Sequence, residues 1–136
     1  MIVVDTNIIA YLYLPTDLTE HAERLLEREP EWAAPLLWRS EFRNVLTLYL
    51  RKSLISLEDA IKIQLEAESF LKENEYMSNS LDVLKLVDHS SCSAYDCEFV
   101  ALAQSQKTRL VTMDRKILSE FPGIAIGIEK FLRIGE

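Results

Sequence analysis

Two aspartates follow expected β-strands and have positions that suit a ligand site. Asp5 ends the β-branched run Ile2-Val3-Val4, and Asp114 follows a second β-like run over residues 109–112. In an open α/β sheet, ligands bind at the carboxyl ends of the strands, so both carboxylates are candidates for binding chemistry. The alternative is an ordinary turn, because aspartate is common where a strand passes into a helix.

Glu41 interrupts the apolar face of an expected helix. The spacing i, i+4, i+8, i+11 of one helix face is followed by Leu37, Glu41, Val45 and Leu48. A carboxylate on such a face needs a partner, because an unpaired buried charge costs several kcal/mol or shifts its pKa. Two alternatives stay open: Glu41 faces solvent, or it pairs with Arg39 or Arg43.

Asp96 repeats this pattern in a later helix. Phe99, Val100 and Ala103 follow it at i+3, i+4 and i+7, so Asp96 starts an otherwise apolar stripe. The alternative is helix capping, since Ser93 and Asp96 also have the spacing of a capping box.

The four acids together predict a pocket that holds a hard cation. Carboxylate oxygens suit Mg²⁺ or Mn²⁺, which bind carboxylates directly or through retained waters. A zinc site is disfavoured, because His89, Cys92 and Cys97 are irregularly spaced and lack a fourth ligand. We expect the two cysteines to be free, mostly buried thiols.

Length and composition indicate one domain over residues 1–136, because 136 residues with 49% hydrophobic content can bury a core. No apolar run is long enough for a membrane span and no signal peptide is recognisable, so we expect a cytoplasmic protein without membrane contact. The net charge of −7 argues against coating nucleic acid by electrostatics alone. A cation bound among the acids would invert that field locally.

Strands and helices alternate along the chain, which predicts an α/β fold with a largely parallel sheet and helices on both faces. Strands are expected at residues 2–4, 31–35, 109–112 and 124–126. The expected helices follow Asp5, follow a capping box at Asp17 and Glu20, and span residues 36–51, 56–73 and 94–107. Residues 74–80 are expected to be a polar connector and residues 82–87 a helical turn or two.

Four segments, in this order, resemble the motifs of a PIN domain, and the closest subgroup is the small ribonuclease toxins of the VapC type. The segments are Val3-Val4-Asp5-Thr6-Asn7, Glu41 with Asn44, Ser93-Ala94-Tyr95-Asp96 before residues 100–103, and Leu110-Val111-Thr112-Met113-Asp114. The resemblance spans nearly the whole chain.

This resemblance implies a three-layer α/β/α fold and a Mg²⁺- or Mn²⁺-dependent endoribonuclease that hydrolyses RNA phosphodiester bonds. The implied catalytic and metal-binding residues are Asp5, Glu41, Asp96 and Asp114. The implied supporting residues are Thr6, Asn44, Ser93 and Thr112. The resemblance also implies a homodimer and an antitoxin protein that blocks the site. Arg115 and Lys116 stand where many relatives soon have another acid, so whether one or two ions bind is left open.

Basic residues near the acids are candidates for holding the RNA backbone, since cations position phosphates without reading sequence. These candidates are Arg115, Lys116, Arg39 and Arg43. The alternative is that they are ordinary solvated surface cations.

Three other functions are alternatives to the nuclease. A phosphatase with Asp5 as nucleophile needs a second aspartate two residues on, where the chain has Asn7. A phospho-acceptor receiver domain would need a lysine after a late strand and an aspartate at the end of a central strand. A catalytically silent PIN scaffold that binds protein or RNA stays open as the alternative function.

Overall fold

The computed structural model describes residues 1–134, and within them five short strands form one sheet. The strands are β1 (Ile2–Val4), β2 (Trp32–Pro35), β3 (Glu75–Tyr76), β4 (Leu110–Val111) and β5 (Ala125–Ile126). Their order is β3-β2-β1-β4-β5, and every neighbouring pair is parallel. The carboxyl ends of all five strands therefore meet at one edge of the sheet.

Helices connect the strands and cover both faces of the sheet. They are α1 (Thr6–Tyr13), α2 (Thr19–Arg28), α3 (Leu37–Arg51), α4 (Leu57–Leu71), α5 (Ser80–Asp88), α6 (Ala94–Ser105), α7 (Arg115–Glu120) and α8 (Ile128–Arg133). Contacts separate them into a group of α1 to α4 with α8 and a group in which α5 packs on α6. This three-layer α/β/α arrangement confirms the expected fold class. In this part of the chain, no helix has the length and apolar character needed to cross a bilayer.

The central strands are buried on both faces, as helices on each side of a parallel sheet require. Every residue of β1, β2, β4 and β5 is buried. The largest fully buried side chains include Trp32 on the sheet, Trp38 and Phe42 on α3, and Phe99 on α6. The core thus fixes both α3 and α6 against the sheet, and these two helices carry Glu41 and Asp96.

Local signals gave the right start for one helix and the wrong start for another. Ser56 and Asp59 form the capping box expected at the start of α4. The box expected at Asp17 and Glu20 is wrong, because α2 begins at Thr19 without a side-chain cap. The Thr19 hydroxyl there donates to the Leu14 carbonyl and accepts from the Thr16 N–H, both at 2.9 Å.

Two further boundaries differ from expectation. The connector over residues 74–80 contains β3, an edge strand whose first residue, Glu75, is held by Arg39. The turn or two expected at residues 82–87 is the longer helix α5, which begins after Asn79 because that side chain accepts from the Asp82 N–H.

Candidate active site at the carboxyl edge of the sheet

Asp5 lies at the end of β1 and caps the start of α1. Its side chain is 9% exposed. Oδ1 accepts from the Thr6 N–H at 2.8 Å, and Oδ2 accepts from the Thr112 hydroxyl at 2.6 Å. The carboxylate is therefore buried and has one donor on each oxygen, which fixes its orientation.

Thr112 connects Asp5 to the segment that carries Asp114. The Thr112 side chain is fully buried just after β4, and its oxygen accepts from the Asp114 N–H at 3.0 Å. Asp114 caps α7, since its Oδ1 accepts from the Ile117 N–H at 2.9 Å. One hydroxyl thus sets the position of both strand-end acids relative to each other.

Glu41 reaches the same place from α3, through a hydrogen bond of 2.7 Å in which the Thr6 hydroxyl donates to its Oε1. The helix face expected from the sequence is displaced by one residue. The buried residues of α3 are Trp38, Phe42 and Leu46, whereas Leu48 is 53% exposed. Glu41 lies at the border of the buried face and is half-buried, which leaves it accessible to a ligand.

Neither arginine proposed as an alternative partner for Glu41 contacts it. Arg39 donates to Glu75 and Glu68, and Arg43 donates to the Ser40 hydroxyl at 3.1 Å. The arginines near Glu41 in sequence are therefore directed to other groups.

Asp96 lies in the first turn of α6, which Ser93 caps by accepting from the Asp96 N–H at 3.0 Å. Ser93 thus forms its half of the expected capping box, and its groups only oppose the rise in the pKa of the Asp96 carboxyl that burial and Asp114 cause. This cap is compatible with a place in the site, because Asp96 also interacts electrostatically with Asp5, Glu41 and Asp114.

The pKa values of three of the acids are raised, and burial is the largest cause in each. Burial raises the pKa of Asp5 to about 6, hydrogen bonds from Thr112 and Thr6 oppose this, and the charges of Glu41 and Asp96 add to it. Burial and the charges of Asp96 and Glu98 raise the pKa of Glu41, against the hydrogen bond from Thr6. Negative charge at this edge is therefore incompletely compensated.

The pKa of Asp96 is raised by burial and by the charge of Asp114, against the hydrogen bonds from Ser93 and the positive charge of Lys116. Lys116 is exposed on α7, next to Arg115. Its charge acts on Asp96, and it comes from the pair that the sequence singled out.

Glu98 is a charged neighbour of the site that the sequence reasoning missed. It is half-buried on α6, accepts a hydrogen bond from the Ser78 hydroxyl, and its charge acts on Glu41. The sequence gives no signal for it. Ser78 belongs to a segment expected to be a connector, and residues two apart, such as Asp96 and Glu98, do not lie on the same face of a helix. Asn44 is exposed on α3, and the hydrogen bonds that hold the four acids do not involve it.

The donors at this edge suit a hard cation. All four side chains offer carboxylate oxygens, and two residues after Asp5, the Oδ1 atom of Asn7 is buried without a hydrogen-bond partner. Within residues 1–134 no three acidic, histidine or cysteine side chains form a ready-made direct ligand set. Magnesium usually keeps several waters and binds only one or two carboxylates directly, so the residues present fit such an ion.

A family model described as "PIN domain" matches residues 2–123. Together with the parallel sheet and the acids at its carboxyl edge, this match defines the class: the chain belongs to the PIN domain family.

Particular relatives agree with this assignment. The chain is 31% identical over 126 residues to "Ribonuclease VapC3" of Pyrobaculum aerophilum, which covers 90% of this chain and 96% of the relative. The resemblance to the VapC type is thereby confirmed.

Solved structures share the fold at lower identity. A crystal structure of PAE2754 from Pyrobaculum aerophilum has a TM-score of 0.74 and 22% identity, covering 96% of this chain and 85% of the other. A toxin-antitoxin complex from Klebsiella pneumoniae has a TM-score of 0.72 and 19% identity, covering 94% and 98%. FitAcB from Neisseria gonorrhoeae has a TM-score of 0.74 and 15% identity, covering 95% and 99%.

Proposed function

We propose that this chain is an endoribonuclease that uses Mg²⁺ or Mn²⁺ to hydrolyse RNA phosphodiester bonds. The observation that carries the proposal is the meeting of Asp5, Glu41, Asp96 and Asp114 around one buried carboxylate whose pKa is raised, mainly by burial, to about 6. Uncompensated negative charge of this kind is costly unless a cation binds there. The relative named Ribonuclease VapC3 supports RNA as the substrate.

The four carboxylates would hold the metal, with water completing its coordination. When bound, a divalent ion supplies Lewis-acid stabilisation of phosphate charge and a water of lowered pKa. Thr6 and Thr112 orient the carboxylates, and their hydrogen bonds favour the ionised forms that a cation requires.

The basic residues would position the phosphate without reading sequence. Lys116 and Arg115 are exposed beside the site, and Arg43 is exposed on α3, so these three remain our candidates. We leave Arg39 out, because its guanidinium is already held by Glu75 and Glu68.

We further propose that the protein is the cytoplasmic toxin of a toxin-antitoxin pair and acts as a homodimer. One of the structural neighbours is a toxin-antitoxin complex, which supports an antitoxin partner. Exposed apolar side chains on α4 and α5 favour protein contacts. These side chains are Leu57, Ile61, Leu65, Leu81 and Leu84.

Cleavage of single-stranded RNA with Mn²⁺ tests the nuclease. We expect Asp5→Asn and Asp96→Asn each to lower the rate by about a hundredfold to a thousandfold, because each removes a group that holds the charge-stabilising ion. Asp17→Asn, which changes an exposed acid, is the matched control and should cleave like the wild type. Equal cleavage by all four proteins would reveal a contaminant and contradict the proposal, and inactivity of the wild type would favour the silent scaffold.

A further inference from the structure

Charge is distributed unequally along the carboxyl edge of the sheet. The strand order puts β3 at one end, the acids around β1 in the middle, and β4 and β5 at the other end. Glu98 lies on the β3 side: it lines a cavity of about 60 Å³ together with Pro35, which ends β2, and Tyr76, which ends β3.

The position of Glu98 is fixed by its own contacts. The hydroxyl of Ser78, two residues beyond the end of β3, donates a hydrogen bond to its carboxylate. Asp82 lines the same cavity, so the β3 side has two carboxylates. Glu98 takes no part in the Ser93 cap of α6, and its charge acts on Glu41.

The β4 side has two cations at the start of α7, whereas the acid of that helix, Glu120, lies at its end and accepts from Ser91. Asp114 is followed directly by Arg115 and Lys116 on α7, both exposed. Lys116 is close enough for its positive charge to act on Asp96. The metal-holding acids thus lie between a negative flank and a positive flank.

A nucleic-acid backbone responds strongly to such a difference, because every nucleotide adds a negative phosphate and cations supply most of the binding free energy. A carboxylate beside the RNA backbone repels the nearest phosphate, so the RNA is disfavoured from binding along that side of the site. The backbone phosphates should therefore be attracted to the flank with Arg115 and Lys116 and repelled from the flank with Glu98.

We infer that the RNA backbone is held on only one side of the cleavage position, over α7 past Lys116, and that Glu98 is a specificity-determining residue that keeps phosphates off the β3 side. Of the three basic candidates, this path uses Lys116 and Arg115 and not Arg43, which donates to Ser40. This inference rests on the proposed ribonuclease function. It assigns to Glu98 a role in selecting how RNA lies across the site, separate from holding the ion.

The test uses single-stranded RNA oligonucleotides shortened from either end relative to a mapped cleavage position. For the wild type we expect shortening on one side to raise KM, by about tenfold, and shortening on the other side to leave it unchanged. Lys116→Gln should raise KM about threefold to tenfold and lower the salt slope by about 0.7, the value for one phosphate contact to a single strand.

Glu98→Gln keeps the hydrogen bond with Ser78 and removes only the charge. We expect KM to fall about threefold for RNA that extends over the β3 side, with kcat unchanged, and no effect for RNA shortened on that side. Glu66→Gln and Lys62→Gln change exposed charges on α4 and serve as matched controls. Thermal unfolding of each variant identifies any general loss of structure.

The outcomes separate this inference from the nuclease proposal. Equal dependence of KM on both ends of the RNA, an unchanged KM in Glu98→Gln, or a collapse of its kcat would overturn the one-sided path.

Binding of the same oligonucleotides in EDTA, followed by fluorescence anisotropy, repeats the comparison without cleavage. If the wild type does not cleave but binding still depends on Lys116 and Glu98 as described, the path stands and the nuclease proposal fails. Absence of both cleavage and binding overturns both.

Discussion

Asp5 and Glu75 are carboxylates with opposite electrostatic environments. Asp5 is buried, whereas Glu75 is half-buried as a residue, although its side chain is only 6% exposed. Glu75 accepts from the Arg39 guanidinium at 2.6 and 2.7 Å and from Trp38 Nε1 at 2.7 Å. Burial by itself raises the pKa of Glu75, but these donors outweigh it and hold that pKa below its ordinary value.

Asp5 also has two donors, yet burial and the charges of Glu41 and Asp96 raise its pKa to about 6. Asp5 is the more deeply buried of the two, and it also lacks a counter-charge, since Thr6 and Thr112 are neutral donors whereas Arg39 is a cation. A carboxylate that serves the fold is paired within the chain, as Glu75 is. The group around Asp5 has no such partner within residues 1–134, which is why we propose that its positive charge comes from outside the chain.

The largest expected change in stability comes from breaking the contacts of Glu75 with Arg39 and Trp38. Glu75→Ala should lower the free energy of unfolding by about 2 to 4 kcal/mol, because it leaves Arg39 and Trp38 without their shared acceptor. Chemical denaturation measures this loss, and Glu73→Ala, at an exposed neighbouring position, should change stability by less than about 0.5 kcal/mol. Similar losses in the two variants would remove the contrast with Asp5.

Replacing Asp5, which has no cationic partner in the described part of the chain, should instead raise the stability. Without a divalent ion at pH 7, Asp5→Asn should stabilise the protein by about 1 to 3 kcal/mol, because the displacement of the pKa from 3.8 to about 6 corresponds to about 3 kcal/mol. Weaker hydrogen bonds to the amide reduce the gain. Denaturation in EDTA measures it.

The pH dependence gives this prediction a second readout. Since the folded protein binds the Asp5 proton more tightly than the unfolded chain, the wild type is favoured below about pH 3.8. It loses that advantage as the pH rises through about 6. Asp5→Asn should lack this component of the stability profile. A variant that is less stable than the wild type at pH 7, with an unchanged profile, would show that Asp5 is paired after all.

The smallest effect is expected at Thr6, whose N–H donates to Asp5 and whose hydroxyl donates to Glu41. Thr6→Val removes the donor to Glu41, so the pKa of Glu41 should rise further and stability above pH 5 should fall by about 1 kcal/mol. Thr6→Ser keeps the hydroxyl and is the control. A nuclear magnetic resonance titration of Glu41 that is the same in both variants would contradict this role for Thr6.

Much of the fold could be predicted because local patterns and tertiary packing agree. The β-branched run before Asp5 and the capping box at Ser56 form the expected elements, and the alternation of elements gives the parallel sheet. The strand β3 was missed because its two residues have no alternating pattern. It forms through pairing with β2 and through the contact of Glu75 with Arg39, and neither is a local property of the sequence.

The site was predictable to a different degree at each residue. Strand ends marked Asp5 and Asp114, and the apolar residues after Asp96 are buried as expected. Glu41 was chosen because it lies on the helix face expected to be buried. The face that is buried in α3 is displaced from it by one residue. The contacts of Glu98 and of Arg39 depend on how α6 and α3 dock against β3, which periodicity does not encode.

Calorimetric titration of Mn²⁺ into the metal-free protein tests the central claim most directly, namely that the acids around Asp5 lack a charge that a divalent ion supplies. We predict binding by the wild type, binding at least about tenfold weaker in Asp5→Asn, and unchanged binding in Glu75→Gln. At ten times the Kd, the ion should stabilise the wild type by about 1.4 kcal/mol. Equal Mn²⁺ binding by wild type and Asp5→Asn, or no binding by either, would contradict the account.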